Sequence, residues 1–160
     1  MTTLDDAVEA LGRTRAELLG ILGGLDAAAL DRKGVVGAWS VKNVLAHLAA
    51  WEDWVVQALP ARVASGTTPE DFRARAQDED RFNAAEVAER EELTPDEQVM
   101  ELERTRDALL AYVRGLDAAA LARPNPWDTW QGTIPDYLLA ALRDHEAEHV
   151  AELRDAVAGR

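Results

Sequence analysis

The chain of 160 residues contains no cysteine. This excludes a disulfide framework, a thiolate metal site and a cysteine nucleophile. Imidazole and carboxylate remain as ligand chemistry, which suits hard or borderline divalent ions. No stretch approaches the ~18 consecutive apolar residues of a membrane span, and Met1-Thr2-Thr3-Leu4-Asp5-Asp6 lacks the basic-then-apolar pattern of a secretory signal. A cytoplasmic location is expected. Basic residues are scarce, 17 against 30 acidic, a formal charge of −13. Such a field repels phosphate backbones and anionic lipid, so neither nucleic acid nor a membrane is the expected partner, and a small molecule is. Sustained apolar alternation is missing too, which argues against a sheet and for an all-α fold. At 48% hydrophobic content, the chain can bury one normal core, giving a single domain over 1–160.

Helix signals punctuate the sequence. In Trp39-Ser40-Val41-Lys42-Asn43-Val44 the serine hydroxyl can accept an orphan amide while Trp39 packs on Val44. The helix so opened is expected to run to about Leu59, before Pro60. Thr94-Pro95-Asp96-Glu97 combines an N-cap, a first-turn proline and a capping glutamate, and Gly115 supplies the stop, so a helix covers about 95–114. Thr133-Ile134-Pro135-Asp136 starts another that reaches about Val157, and a first helix spans roughly 3–23. Residues 60–93 are too long for a turn, and Thr68-Pro69-Glu70-Asp71 begins one extra helix there.

Half of this pattern repeats. Arg13-Thr14-Arg15, Leu18-Leu19 and Gly24-Leu25-Asp26-Ala27-Ala28-Ala29-Leu30 recur as Arg104-Thr105-Arg106, Leu109-Leu110 and Gly115-Leu116-Asp117-Ala118-Ala119-Ala120-Leu121, always 91 residues later, and Trp39 and Trp130 keep that offset. Two related helical hairpins, joined by a connection long enough for a crossover, predict a four-helix bundle.

Of the three histidines, His145 and His149 stand four apart in the last helix, so both imidazoles leave one face. That face continues an apolar stripe through Leu138, Ala141 and Leu142, and His47 lies on the face of its own helix that carries Asn43, Trp51 and Trp54. A charged imidazole inside an apolar stripe is costly, whereas a neutral one bound to a divalent ion is satisfied; a neutral buried histidine with a hydrogen-bonded partner is the alternative. His145-Glu146-Ala147-Glu148-His149 also reads as H-E-x-x-H, the helical motif of zinc peptidases with the glutamate as general base. The longer peptidase pattern fails, since Glu152 stands where a glycine is needed and too little chain follows for a third ligand.

The segment Trp39-Ser40-Val41-Lys42-Asn43-Val44-Leu45-Ala46-His47-Leu48-Ala49-Ala50-Trp51-Glu52, followed about 100 residues later by His145-Glu146-x-Glu148-His149, resembles the DinB-like superfamily of bacterial four-helix-bundle metalloenzymes. Its first half is most like the branch that holds a self-protection protein against a genotoxic natural product. The resemblance implies an up-down-down-up bundle, often a homodimer, with a divalent-metal triad at His47, His145 and His149. Zinc or nickel is the implied metal, with iron or manganese next. Other branches transfer low-molecular-weight thiols such as bacillithiol, mycothiol or glutathione, or isomerise with mycothiol.

A three-histidine site leaves coordination positions open, the arrangement of a catalytic metal that activates water or holds a thiol. Glu146 and Glu148 are the candidate acid–base residues, Glu152 a further one beside the histidines, and Asn43 and Trp51 the candidates to support a metal or line a pocket. The expected function is a metal-dependent hydrolase or thiol S-transferase of detoxification type. The alternative is a noncatalytic protein that sequesters a toxin in a Trp-lined cavity.

Overall fold

In the computed structural model, which describes residues 2–127 and 130–159, the first helix, α1 (Leu4–Leu22), is opened by a capping box in which Thr3 and Asp6 satisfy each other's backbone amides. A one-turn helix α2 (Ala27–Asp31) follows, capped by Asp26. A tight turn with Gly34 and Gly37 at positive φ, a conformation that a Cβ disfavours, then leads to α3 (Val41–Ser65). Two short helices cross over, α4 (Glu70–Ala76) and α5 (Glu79–Glu89), before α6 (Pro95–Arg114) and a second one-turn helix, α7 (Ala118–Ala122). A ribbon of β1 (Asn125–Trp127) and β2 (Trp130–Gly132), paired antiparallel with Asn125 opposite Gly132, connects to α8 (Ile134–Leu138). A π-helical turn, Leu139–Arg143, joins α8 to the last helix, α9 (Asp144–Ala158).

The four long helices run up-down-down-up. Ala7 and Leu11 of α1 share a core cluster with Ile134 and Leu142, and Leu18 and Leu22 share a second with Val150 and Leu153, so α1 and α8–α9 run parallel. Leu45 of α3 lies in the second cluster with Leu102 of α6, while Ala58 and Val113 lie in the first, so α3 and α6 are parallel as well. Parallel neighbours need a crossover, and α4–α5 provide it.

Three features depart from the expectation. Helix α3 does not stop at Leu59 but continues through Pro60 to Ser65, where Gly66 at φ 76° closes it with its amide on the Arg62 carbonyl. Pro60 is exposed, and on a solvent face a carbonyl that loses its amide partner to proline can be hydrated. The central connection holds two helices rather than one, because the Asp78 carboxylate caps a fresh start on the Arg81 amide at 3.1 Å. Thr68, read as that region's cap, is buried and accepts instead from Arg62 Nε at 2.7 Å. Finally, the last helix is broken by the π turn, and a three-residue ribbon precedes it, too short to show alternation in sequence. The side chain of Trp130, the repeat partner of Trp39, lies outside the described residues.

Between the two apolar clusters sits a buried charged layer. Arg15 donates to Glu146 at 2.5 Å, to Glu52 at 3.0 Å and to the Leu102 carbonyl at 3.2 Å. Arg106, its equivalent 91 residues later, donates to Glu52, to Glu146 at 3.0 Å and to the Leu11 carbonyl at 3.1 Å. Leu11 and Leu102 are themselves 91 apart, so the layer has the twofold symmetry of the repeat. Burial works against the Arg15 charge, but the Glu146 and Glu52 carboxylates outweigh it and raise its pKa.

Candidate metal centre

Ser40 and Asn43 form a capping box at the start of α3, which sets that helix's phase; His47 follows one turn later with its side chain 5% exposed. Trp39, held by the turn before the cap, lies with its ring 5.1 Å from the His47 ring. From α9 come His145 and His149, their rings 4.8 Å and 4.9 Å from His47 and 5.0 Å from each other. One ligand nitrogen from each histidine falls within 4.8 Å of the other two.

The outer hydrogen bonds decide which nitrogens face inward. His47 Nδ1 is 3.1 Å from Asn83 Oδ1, and the same oxygen accepts Trp51 Nε1–H at 2.8 Å. An oxygen acceptor places the proton on Nδ1 and leaves the Nε2 lone pair free. His149 Nδ1 likewise lies 2.7 Å from Glu152 Oε2. His47 Nε2 and His145 Nε2 are 2.8 Å apart, an N–H···N hydrogen bond. Neighbouring nitrogens of a tetrahedral zinc site, with bonds of 2.0–2.1 Å, stand ~3.4 Å apart. The His47–His145 pair would open by about half an ångström around such an ion, the His145 proton on Nε2 giving way to it, and the tautomers set by Asn83 and Glu152 at His47 and His149 suit it.

The site holds the imidazoles of His47 and His145 neutral. Burial, then the neighbouring His145 and His149, pushes the pKa of His47 down to about 3; burial and His149 push His145 down to about 4. Unfolded histidine ionises near 6.5. Between those values the unfolded chain binds protons that the folded one refuses, so stability is present above pH ~6.5 and lost as pH falls through about 4. Urea denaturation of the metal-free protein is expected to show a midpoint that falls over this interval, and that shows a weaker fall in His47→Gln. A midpoint indifferent to that substitution would mean that His47 is not held neutral by the fold.

The triad opens into a pocket of ≈ 450 Å³ walled by Trp51, Trp54, Val55, Tyr137 and Leu142, with Glu79, Asn83 and Glu148 as its further polar lining. Its composition follows the repeat. His47, Trp51, Trp54 and Val55 of α3 correspond, 94 residues on, to Ala141, His145, Glu148 and His149, and all eight line the pocket. The N-caps Ser40 and Thr133 are 93 apart, and the π turn absorbs the one extra residue. Helix α3 contributes the aromatic wall and one ligand; α9 contributes the other two.

The structure brings His47, His145, His149, Trp51 and Glu148 together and separates two other candidates from them. Glu146, read as a general base from H-E-x-x-H, is corrected: it is 1% exposed, and both its carboxylate oxygens are taken by Arg15 and Arg106. Adjacent residues diverge by about 100° on a helix, so Glu146 cannot share the face of its neighbour His145. Asn43 is corrected as well. Its Oδ1 accepts from the Ser40 amide at 3.1 Å and from Lys33 at 2.7 Å, and its Nδ2 donates to Glu91 at 3.1 Å, so it caps the helix and does not reach the pocket.

Asn83 and Glu79 were missed, because the charged α5 shows no motif and reaches the site only through the crossover. Replacing Asn83 by leucine is expected to weaken metal binding about 10–100-fold, the usual effect of losing an outer-shell partner. Asn83→Asp, which keeps the acceptor, should retain it; chelator competition measures both. Equal affinity in Asn83→Leu would show that the tautomer of His47 is set elsewhere.

Sequence comparison with curated proteins finds no significant match. Solved structures do match in fold. An uncharacterised protein from Escherichia coli UTI89 superposes with a TM-score of 0.81 at 19% identity, over 99% of this chain and 95% of that one. The colibactin self-resistance protein ClbS, solved in complex with a dsDNA, gives 0.78 at 14% identity over 98% and 96%. YfiT from Bacillus subtilis, described as a probable metal-dependent hydrolase with an unusual four-helix bundle topology, gives 0.67 at 17% identity over 98% and 86%. A mycothiol-dependent maleylpyruvate isomerase matches at 0.72 and 16% identity over 94% of this chain but only 60% of its own length. Among the described residues no helix is long and apolar enough to cross a membrane. The family model of the DinB superfamily matches residues 10–153, nearly the whole bundle with all three histidines, and the chain belongs to that superfamily.

Proposed function

We propose that this protein is a divalent-metal-dependent enzyme of detoxification type, acting in the cytoplasm on a small electrophilic molecule with water or a low-molecular-weight thiol as the attacking group. The observation that carries the reading is the convergence of His47, His145 and His149, each donating one nitrogen within a 4.8 Å cluster, on an open pocket of ≈ 450 Å³. A closed structural site would have four protein ligands and no pocket. When bound, a divalent ion there supplies Lewis acidity that lowers the pKa of a water or thiol ligand. Asn83 and Glu152 hold two of the imidazoles in the tautomer that presents Nε2. Glu148, which lines the pocket beside the two histidines of α9, would take the proton released by the attacking group. Trp51, Trp54 and Tyr137 exclude water from the far side and offer apolar area to the substrate.

Nucleic acid is not the substrate in this reading: a formal charge of −13 opposes it, and among the described residues neither lysine nor arginine lines the pocket. Family membership also favours a homodimer, which light scattering checks. Elemental analysis of untagged protein, purified without added metal, is expected to give near one equivalent of a divalent metal, zinc or nickel before iron or manganese. Failure to bind any of them on reconstitution would overturn the enzyme reading and leave sequestration of a ligand in the Trp-walled pocket.

A further inference from the structure

The pocket is charged on one side only. Glu79 from the crossover helix and Glu148 from α9 both line it and both are exposed, and among the described residues no lysine or arginine side chain lines it. Arg62 packs against two of the wall's aromatics without lining the pocket: its guanidinium lies 5.0 Å from the Trp54 ring centre and 5.4 Å from that of Tyr137, and it donates to the Tyr137 hydroxyl at 2.8 Å. It lines a separate cleft with Thr68, Glu70 and Arg73. A carboxylate or phosphate seated along the aromatic wall, away from the triad, would leave water with no cationic side chain among the described lining residues to replace its hydration. It would also approach two like charges, on a chain already strongly acidic.

We infer that the organic ligand of this pocket carries no anionic group apart from any atom that binds at the triad: its body is uncharged or cationic, flat and apolar, and lies along Trp51, Trp54 and Tyr137. The inference rests on the same pocket as the proposed function but not on the metal. It narrows the choice of thiol cosubstrate to one without carboxylates, because a carboxylate-bearing thiol would have to seat its acid groups against Glu79 and Glu148. These two residues act here as specificity determinants at the rim.

The test uses three probes of one shape, naphthalene-2-carboxylate, naphthalene-2-carboxamide and 2-naphthylmethylammonium, titrated by calorimetry into the protein as purified and after chelation, with metal content measured in each sample. In the chelated protein the amide and the ammonium are expected to bind about ten-fold more tightly than the carboxylate in 0.02 M salt, as two nearby like charges at the solvent boundary imply. The gap between ammonium and carboxylate should shrink in 1 M salt, where the screening length falls to about 3 Å. In Glu79→Gln with Glu148→Gln it should shrink to within about two-fold. A carboxylate that binds the chelated protein as well as the amide does, or the absence of binding by all three, overturns the inference. A protein that takes up no divalent metal on reconstitution yet keeps the charge preference sinks the metalloenzyme reading and leaves this one standing. Stoichiometric metal with no such preference does the reverse.

Discussion

Replacing His47 with alanine is expected to lower divalent-metal affinity by 10²–10³-fold while leaving the helical fold intact. A four-ligand structural zinc site is worth about 10–16 kcal/mol, so one ligand of three or four carries roughly 3–4 kcal/mol. His47 is the one member of the proposed triad on α3, and without it the remaining pair on α9 would not enclose an ion from two sides. Truncating a side chain that is 5% exposed leaves a cavity, which costs about 1–3 kcal/mol, too little to unfold a typical domain. Asn43→Ala is the control. It breaks the capping box and should cost about 1 kcal/mol of stability, yet it should keep the metal, because Asn43 faces Lys33 and Glu91 rather than the triad. Inductively coupled plasma analysis beside far-UV circular dichroism separates the two effects. Full metal retention in His47→Ala would remove α3 from the site.

Arg106→Met should destabilise the protein by about 3–5 kcal/mol, the cost of leaving a buried charge without its partner. Arg15, Arg106, Glu52 and Glu146 are each less than one-tenth exposed and balance as two positive and two negative charges. Removing one arginine leaves two carboxylates on one guanidinium. Arg106→Met with Glu52→Met deletes a whole pair and leaves Arg15 on Glu146 at 2.5 Å, so it should recover at least half the loss. Urea denaturation of the single and double variants reads this directly. A double variant no more stable than the single would mean that the layer acts through packing rather than charge balance. The layer also bears on the site: Glu146 anchors α9 one residue after His145, and its clamp by two arginines fixes the rotation that turns His145 and His149 toward His47.

Much of the helical framework was legible because it is written locally. Ser40, Thr94 and Thr133 cap the helices they were expected to cap, each with its partner three residues on. The interval 95–114 coincides with α6 because proline at its start and glycine after its end are both local signals. The continuation through Pro60 and the π turn at Leu139–Arg143 escaped notice, since both are backbone accommodations that solvent exposure and tertiary packing decide. Asp26 and Asp117, each at the same place in the repeat, turned long connections into one-turn helices that apolar periodicity is too coarse to register.

By itself the sequence determined the all-α class, the duplication and the identity of the histidines, because helix spacing puts residues four apart on one face whatever surrounds them. The tertiary structure alone decided what those faces meet. It sent Glu146 to Arg15 and Arg106 and left Glu148 in the pocket, a choice between carboxylates two residues apart that depends on which side of α9 packs against α1 and α6. It brought Asn83 onto His47 across 36 residues of sequence, through a crossover whose path no local signal encodes. Hydrogen-bond partners distant in sequence follow from how helices pack, and that packing is set by the burial of the whole core rather than by any segment of it.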